Sequence, residues 1–300
     1  MGISDEIRRR LERLNRQPLR EEDEATGDRA ELQAAIVYPR DAVPLPRRAA
    51  SDRLAGLAHV RLDDVVAGAS FTTPSHGAAF EVRRAGAELS EHEPEVGRRF
   101  IREGWRDIAA SVTDVGQNGG LPAPEDLLFM DIETTGLGCA QVFLIGVMAW
   151  TVGGFEVRQY LARSYAEEPA IVARFAEDVA ASRLLVSFNG KSFDMPNVRA
   201  RAAVHRVPLS VDLPHLDLLH AARRAWKRRM PDCRLQTLET RVCGRPRLDD
   251  LPGSEIPDAY REYVRTGNAV EVVRIIEHNA QDLLTLADIL TRLPGSEWDD

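Results

Sequence analysis

The chain has 300 residues, of which 44% are hydrophobic and 29% are charged, a composition that predicts a soluble globular protein of one or two domains. No apolar run approaches the roughly 18 residues that span a bilayer, and the charged segment 5–10 is unlike a signal peptide, so we expect neither a membrane protein nor a secreted one. The net charge of −8 argues against a protein that is basic throughout, although it leaves room for a local basic surface.

The cysteines Cys139, Cys233 and Cys243 favour a reducing compartment. They are odd in number and have no Cys-x-x-Cys spacing, so neither a zinc site nor a disulfide framework is expected. We therefore expect unpaired thiols in a cytoplasmic protein, and we take the chain to act as a monomer.

The first 120 residues carry weaker structural signals than the rest. The pattern predicts a charged helix at 3–34, short strands at 71–74 and 78–82 joined by a turn at 75–77, and a helix at 100–112. A Gly/Pro-rich linker at 116–124 precedes the first strong strand. We therefore divide the chain into an N-terminal extension of unknown role, residues 1–120, and a C-terminal domain with stronger signals, residues 121–300.

After this linker, apolar runs and helical periodicity alternate. Strands are predicted at 127–132, 142–151, 155–161 and 184–188, and helices at 167–181, 197–205, 235–242, 257–265 and 269–293. Residues 215–219 fit either a fifth short strand or the start of a helix. Three consecutive strands followed by alternating helices and strands predict an α/β fold with a five-stranded mixed sheet flanked by helices.

Asp131 and Glu133 stand two residues apart at the end of the first of these strands. Residues i and i+2 of a strand point to the same face, and two neighbouring carboxylates repel each other and are costly to bury. A divalent cation would compensate both charges, and carboxylate oxygens are the ligands that Mg²⁺ and Mn²⁺ prefer. The pair therefore favours a metal-dependent hydrolase.

Two further acids complete a candidate set of four. Asp194 follows the strand 184–188 and a glycine-containing turn, where it is either a metal ligand or a helix cap. Asp282 lies on the inward-facing stripe of the last helix, one turn after His278. If the strands 127–132 and 184–188 are neighbours in the sheet, the acids at their ends converge. With Asp282 they then form the carboxylate cluster that two-metal phosphoryl transfer requires.

The segment 221–248 is strongly basic, with nine Arg or Lys residues and only two acidic ones. Such a local field favours phosphate binding, although an arginine-rich helix that is simply solvated fits the same pattern. Within the segment, Trp226 is a candidate for stacking on a nucleic-acid base.

These motifs resemble those of the DEDD superfamily of 3′–5′ exonucleases, which have a ribonuclease-H-like fold. Asp131-Ile-Glu133-Thr-Thr-Gly resembles the first motif, Asn189 to Asp194 the second, and His278-x-x-x-Asp282 the third. The bacterial YprB-type branch is the most similar, on Leu216-Asp217-Leu-Leu-His220, Cys233-Arg-Leu, Leu238-Glu239, Asp250-Leu-Pro-Gly and Ile256-Pro257. The resemblance covers residues 125–293 and leaves the N-terminal extension out.

The resemblance implies a metal-dependent 3′–5′ exonuclease that hydrolyses phosphodiester bonds of single-stranded RNA or DNA with two Mg²⁺ or Mn²⁺ ions. It implies that Asp131 bridges both ions, that Glu133 and Asp282 complete the shell of the first ion, and that Asp194 serves the second. His278 would orient or deprotonate the attacking water. The nucleic acid would be bound by Thr134, Thr135, Asn189, Lys191, Arg223, Arg224, Lys227 and Arg228.

His278 departs from the family pattern in its spacing. Members with histidine in the third motif place it five residues before the aspartate, whereas here the gap is four, the spacing of the tyrosine branch. On a helix this rotates the side chain by ~100°, which leaves the metal ligands intact but puts the general-base role in doubt. Asp217 is either an acid behind the site or a helix cap.

Two other functions are compatible with the sequence. One is a nucleic-acid-binding or scaffold module with a vestigial site, and the other is an endonuclease or junction resolvase of the same fold. The presence of all four acids argues against the first, and Thr134-Thr135-Gly136 after Glu133 favours the exonuclease over the second.

Overall fold

The computed structural model describes residues 59–102, 122–136, 138, 140–209, 213–247 and 250–293. The predicted helix at 3–34, most of the predicted helix at 100–112 and Cys139 lie outside these residues. No helix in this part of the chain is both long and apolar enough to cross a membrane.

The described residues contain one sheet of seven strands. The strands are β1 (Gly68–Thr73), β2 (Gly77–Ala85), β3 (Leu127–Thr134), β4 (Val142–Thr151), β5 (Gly154–Leu161), β6 (Leu184–Ser187) and β7 (His215–Asp217). Their order across the sheet is β1-β2-β5-β4-β3-β6-β7. Neighbours from β1 across to β3 are antiparallel, whereas β6 runs parallel to β3 and β7 parallel to β6, so the sheet is mixed.

Helices cover both faces of this sheet. They are α1 (Leu62–Val65), α2 (Gly86–Leu89), α3 (Glu93–Arg102), α4 (Glu168–Ala181), α5 (Asp194–His205), α6 (Leu218–Trp226), α7 (Leu235–Arg241), α8 (Ile256–Thr266) and α9 (Val270–Arg292). One apolar core joins Met130 of β3 to Ile171 of α4 and Val198 of α5. A second core joins Phe129, which points to the opposite face, to Leu283 of α9. The central strand β4 is almost continuously apolar because it is buried on both faces.

The topology explains why the acidic motifs meet. β3 and β6 are parallel neighbours, with Phe129 opposite Val186, so the carboxyl ends of both strands lie at the same edge of the sheet. Glu133 is the last residue but one of β3, and Asp194 follows β6 after a short turn. The prediction that these two strands are neighbours is thereby confirmed, and α9 covers the face toward which Asp131 points.

The predicted mixed α/β sheet is confirmed, but it has seven strands rather than five. β2 pairs with β5, with Val82 opposite Gln159, and β1 pairs with β2, so the two strands predicted within the N-terminal extension continue the same sheet. The pairing joins segments far apart in the chain, which a local pattern does not reveal. The sheet therefore crosses the predicted boundary near residue 120, and the division of the chain into two domains there stays a prediction.

Two local predictions also differ from the structure. Residues 215–219 form both alternatives in succession, because the strand β7 passes directly into α6 at Leu218. The helix predicted to begin at Phe100 begins at Glu93, because Glu93-Pro94-Glu95 supplies acidic residues and a proline to the first turn.

Candidate functional site

Asp131 is half-buried on β3 beneath α9. Asn279 of α9 donates from Nδ2 to Asp131 Oδ2 over 2.8 Å and to the Asp131 carbonyl over 3.2 Å. Burial raises the pKa of Asp131 well above its ordinary range, and the charges of Asp282, Glu133 and Asp194 raise it further. An ionised Asp131 therefore lies in a negative field that a cation would relieve.

Glu133 lies one pleat further along the same face of β3. Burial raises the pKa of Glu133, the charges of Asp282, Asp194 and Asp250 add to this effect, and Arg247 acts against it. Asp282 is the largest charged influence on both Asp131 and Glu133, so the last helix and the first motif face each other.

Asp194 is the first residue of α5 and is buried. Its carboxylate faces its own backbone N–H and the backbone N–H of Ile132, the residue between Asp131 and Glu133, and both favour the ionised form. Burial raises the pKa of Asp194 from 3.8 to about 7, because these backbone groups offset only part of the desolvation. The side chain thus stands at a helix start, as a cap would, while it also reaches the first motif.

The turn that presents Asp194 is held by Asp217. Asp217 accepts hydrogen bonds from the backbone N–H of Asn189 over 2.7 Å and of Lys191 over 3.1 Å. It also caps α6 by accepting from the N–H of Leu219 over 3.1 Å, so both roles considered for Asp217 apply. Gly190 is required within the turn, because a Cβ there would lie 2.2 Å from Ser187 Oγ.

His278 is held between two carboxylates. Its Nδ1 lies 2.8 Å from Asp250 Oδ1, and its Nε2 lies 3.5 Å from Asp282 Oδ2. Burial alone would lower the pKa of His278, but the hydrogen bond to Asp250 and the charges of Asp282 and Asp250 outweigh burial and raise it. An imidazole whose two ring nitrogens both face carboxylates has the contacts of a residue that orients Asp282.

Arg247 is a member of this cluster that the sequence motifs did not indicate. Its buried guanidinium is ion-paired with Asp282 and with Glu239 of α7, and its Nη1 lies 3.2 Å from Asp250 Oδ2. The neighbouring charges of Asp282, Glu239 and Asp250 outweigh its burial and raise the pKa of Arg247. Glu239 and Asp250 both belong to the motifs of the YprB-type branch, and their shared contact with Arg247 gives those motifs a structural role at the site.

Asn279 is a second member that the motifs did not indicate, and it connects Asp131 to the far strands of the sheet. Its Oδ1 accepts from Gln159 Nε2 of β5 over 2.8 Å, and Gln159 Oε1 accepts from Arg84 Nη2 of β2 over 3.0 Å. Gly146 of β4 lies between Asp131 and Gln159 in the register and leaves the space that Asn279 occupies. A glycine within an otherwise apolar central strand is the signal that could have found this contact.

Four of the predicted nucleic-acid-binding residues lie where β3 and β6 end. Thr134 is buried and donates from Oγ1 to the Gly136 carbonyl over 2.7 Å, whereas Thr135 is half-buried. Asn189 and Lys191 have exposed side chains in the turn after β6. These residues therefore surround the same sheet edge as the acids, with Asn189 and Lys191 facing solvent.

The basic segment 221–248 divides into an exposed part and a buried part. The exposed part comprises residues of α6 and the turn after it, namely Arg223, Arg224, Lys227 and Arg228. Arg245 and Arg247 instead turn inward, and Arg245 Nη2 lies 3.1 Å from Asp288 Oδ2. Trp226 is partly buried against the core beneath α9. The exposed basic surface is therefore formed by α6 and the turn after it, and not by the whole segment. α6 directly follows Asp217, which holds the turn after β6.

The donor set fits a hard divalent cation. Four carboxylates without sulfur ligands select Mg²⁺ or Mn²⁺, and the raised pKa values of Asp131, Glu133 and Asp194 are the signature of anions that lack a compensating charge. In the described ranges, no three His, Cys, Asp or Glu side chains already stand close enough together to hold an ion. Since Asn279 holds one carboxylate of the set and Arg247 holds Asp282, ion binding requires some of these side chains to turn.

Asp194 predicts a pH dependence of stability with a definite sign. The pKa of Asp194 is higher in the folded protein than its ordinary value of 3.8, so the neutral carboxyl favours the folded state. This contribution to the free energy of unfolding is complete below pH 3.8 and is lost as the pH rises to about 7. We expect the melting temperature of the metal-free protein to fall over this range, by about 2–4 °C for each kcal/mol lost. Thermal unfolding at several pH values measures this.

The matched control for this prediction is Asp194→Asn, which removes the titrating group and should flatten the profile. We expect Mn²⁺ to bind the carboxylates in their deprotonated form, so the rise in melting temperature on adding Mn²⁺ should grow with pH. A wild-type melting temperature that increases from about pH 4 to about pH 7 would contradict the assignment.

Comparisons with known proteins agree with this fold. The sequence profile of the RNase H superfamily matches residues 128–294, which is more than half of the chain. YprB of Bacillus subtilis (strain 168), an uncharacterized protein, is 34% identical over 169 residues, and the match covers 55% of this chain and 41% of YprB. This chain therefore spans about two fifths of the length of that relative.

Among solved structures, the family B DNA polymerase from the hyperthermophilic archaeon Pyrobaculum calidifontis is similar with a TM-score of 0.45 and 17% identity. The similarity covers 56% of this chain and 24% of the polymerase chain. The resemblance to ribonuclease-H-like proteins of the YprB type, inferred from the motifs, is confirmed by the profile and by YprB. The chain belongs to the RNase H superfamily.

Proposed function

We propose that this protein is a metal-dependent 3′–5′ exonuclease that hydrolyses the phosphodiester bonds of single-stranded RNA or DNA. One observation carries the proposal: Asp131, Glu133, Asp194 and Asp282 come from β3, from the start of α5 and from α9, and their charges act on one another. Grouping four acids within a fold is unfavourable unless cations neutralise them. Two Mg²⁺ or Mn²⁺ ions suit this set, and they are the cofactors that we propose.

Each acid has a proposed role. Asp131 would bridge the two ions, Glu133 and Asp282 would complete the shell of one, and Asp194 would serve the other. When bound, the ions supply an activated water and stabilise the charge on the leaving oxygen. His278 contacts Asp282 and Asp250 with its two ring nitrogens, so we assign it as a positioning residue that orients Asp282.

The single strand would enter along the sheet edge formed by β3, β6 and α6. Thr134 and Thr135 belong to the first motif, and Asn189 and Lys191 lie in the turn before Asp194, so a terminal nucleotide bound at the acids would lie near all four. The exposed cations of α6 and its following turn provide sequence-independent attraction for the phosphates. Cytoplasmic location and action as a monomer remain part of this proposal.

The exposed cations of α6 give the second prediction. We expect the triple variant Arg223→Gln/Lys227→Gln/Arg228→Gln to weaken binding of a single-stranded oligonucleotide and to reduce the slope of log K against log salt by about 2, because each lost phosphate contact removes about 0.7 from that slope. Fluorescence anisotropy at several salt concentrations measures both quantities.

The matched control for this triple variant removes three exposed arginines elsewhere, in Arg98→Gln/Arg102→Gln/Arg206→Gln. Two of these lie on α3 and one follows α5. If the control variant lowers the salt slope as much as the α6 variant does, the attraction comes from total charge, and α6 is not the binding surface.

A closed-circular substrate separates the exonuclease from an endonuclease or resolvase of the same fold. We expect linear single strands to be degraded with Mn²⁺, while circular single strands of the same sequence stay intact. Cleavage of the circle would show that no free end is needed and would favour the endonuclease. Salt-sensitive binding without cleavage of either substrate would favour a binding module with a vestigial site.

A further inference from the structure

Arg247 forms a closed ring of ion pairs with the third motif. Its guanidinium binds Asp282 Oδ1 and reaches Asp250 Oδ2 over 3.2 Å, while His278 joins the other oxygens of the same two acids. Glu239 binds Arg247 Nε from the opposite side. The Arg247 side chain is 7% exposed, so it belongs to the interior and offers little surface to the phosphates of a passing strand.

A buried guanidinium at this place competes electrostatically with a divalent ion. An ion that uses Asp282 must share its carboxylate with Arg247 or take it over, and the two positive charges repel each other at short range. Arg247 has two other acidic partners, Glu239 and Asp250, so it can yield Asp282 without being left as an unpaired buried charge. The contacts of Arg247 therefore allow it to release Asp282 to a metal ion while it stays paired with Glu239 and Asp250.

We propose that Arg247 is a resident counter-ion of the metal site that competes with the divalent cation for Asp282 and thereby sets the metal affinity. The proposal rests on the proposed function, because it assigns Asp282 to the metal. It makes the ion held by Asp282 the weaker, exchangeable one. Without metal, Arg247 keeps Asp282 paired, so the same residue stabilises the fold and limits how tightly the metal is held.

The test is a titration with Mn²⁺ alone, by calorimetry and by the electron paramagnetic resonance of free Mn²⁺, above pH 7 so that protons do not compete. We expect Arg247→Gln to bind Mn²⁺ at least about tenfold more tightly than the wild type, since a unit charge is removed next to the ligands. Arg247→Lys should tighten binding by a smaller factor, because a lysine keeps the charge but cannot bridge three acids as the guanidinium fork does.

Arg245→Gln is the matched control. Arg245 lies two residues away and its side chain is only 12% exposed, but its ion pair is with Asp288, further along α9 than Asp282, so this variant should keep the wild-type Mn²⁺ affinity. The rise in melting temperature that Mn²⁺ produces gives a second readout, and it remains usable if Arg247→Gln is less stable than the wild type without metal.

The outcomes distinguish the inference from the function on which it rests. If wild type binds Mn²⁺ and neither Arg247 variant binds it more tightly, Arg247 does not compete for the site and the inference alone fails. If neither wild type nor Arg247→Gln binds Mn²⁺, the metal-dependent function fails as well. Tighter binding by Arg245→Gln to the same extent would show a general effect of charge and would also overturn the inference.

Discussion

Asp131→Asn should lower turnover by on the order of 10³-fold, equivalent to about 4 kcal/mol of transition-state stabilisation, while it raises the melting temperature of the metal-free protein. The two effects have opposite signs because they have different causes. The loss follows from removing the ligand proposed to bridge both ions. The higher melting temperature follows from removing the Asp131 carboxyl, whose pKa is raised well above its ordinary range by burial and by the charges of Asp282, Glu133 and Asp194.

The asparagine also fits the position sterically. Asn279 Nδ2 donates to Asp131 Oδ2 over 2.8 Å, and an amide oxygen in that place can accept the same hydrogen bond. Thermal unfolding without metal and initial rates with Mn²⁺ measure the two effects on the same preparation. A variant that has lost its fold without metal would make the acids structural and would contradict the catalytic assignment.

Gly146→Ala should disturb the site from the neighbouring strand, on the face of the sheet that α9 covers. A Cβ at Gly146 would lie 2.0 Å from Asn279 Oδ1, so Asn279 must move, and its hydrogen bonds to Asp131 and Gln159 must change with it. We expect a loss of about 1–3 kcal/mol of stability from overpacking, and a loss of about 10- to 100-fold in activity because a ligand loses its orienting partner.

Two further variants test whether Gly146→Ala acts through Asn279. Gly153→Ala is the matched control, because a Cβ at that position of the β4–β5 turn meets only Thr151 Oγ1, at 3.8 Å. Asn279→Ala combined with Gly146→Ala should restore much of the melting temperature, since the clash is removed, but not the activity. Wild-type stability and rate in Gly146→Ala would show that Asn279 does not orient Asp131.

The sequence predicted the central strands well, and it identified acidic residues that the structure places at one edge of the sheet. The strand predicted at 142–151 matches β4 because a strand buried on both faces is apolar throughout. Asp131 and Glu133 were recognisable because two carboxylates at a strand end conflict with burial, and the parallel pairing of β3 and β6 brings Asp194 to the same edge. A conflict between residue type and position is visible without any structure.

What the sequence left open depends on contacts between distant segments. Arg247 counted as one more arginine of a basic segment, although its guanidinium is buried among Glu239, Asp250 and Asp282. The pairing of β2 with β5 is equally non-local, so the hydrogen bond from Arg84 to Gln159 could not be anticipated. A charge pattern predicts that an arginine needs a partner, whereas only the fold shows whether the partner is solvent or an acid.

The most direct test of the proposed function is a time course on 5′-labelled single-stranded RNA and DNA oligonucleotides with Mn²⁺ or Mg²⁺, with wild type beside Asp131→Asn/Glu133→Gln. The account predicts a metal-dependent ladder that shortens from the 3′ end with the wild type and is absent with the variant. A ladder that persists with the double variant, or no shortening of either nucleic acid by the wild type with either metal, would contradict it.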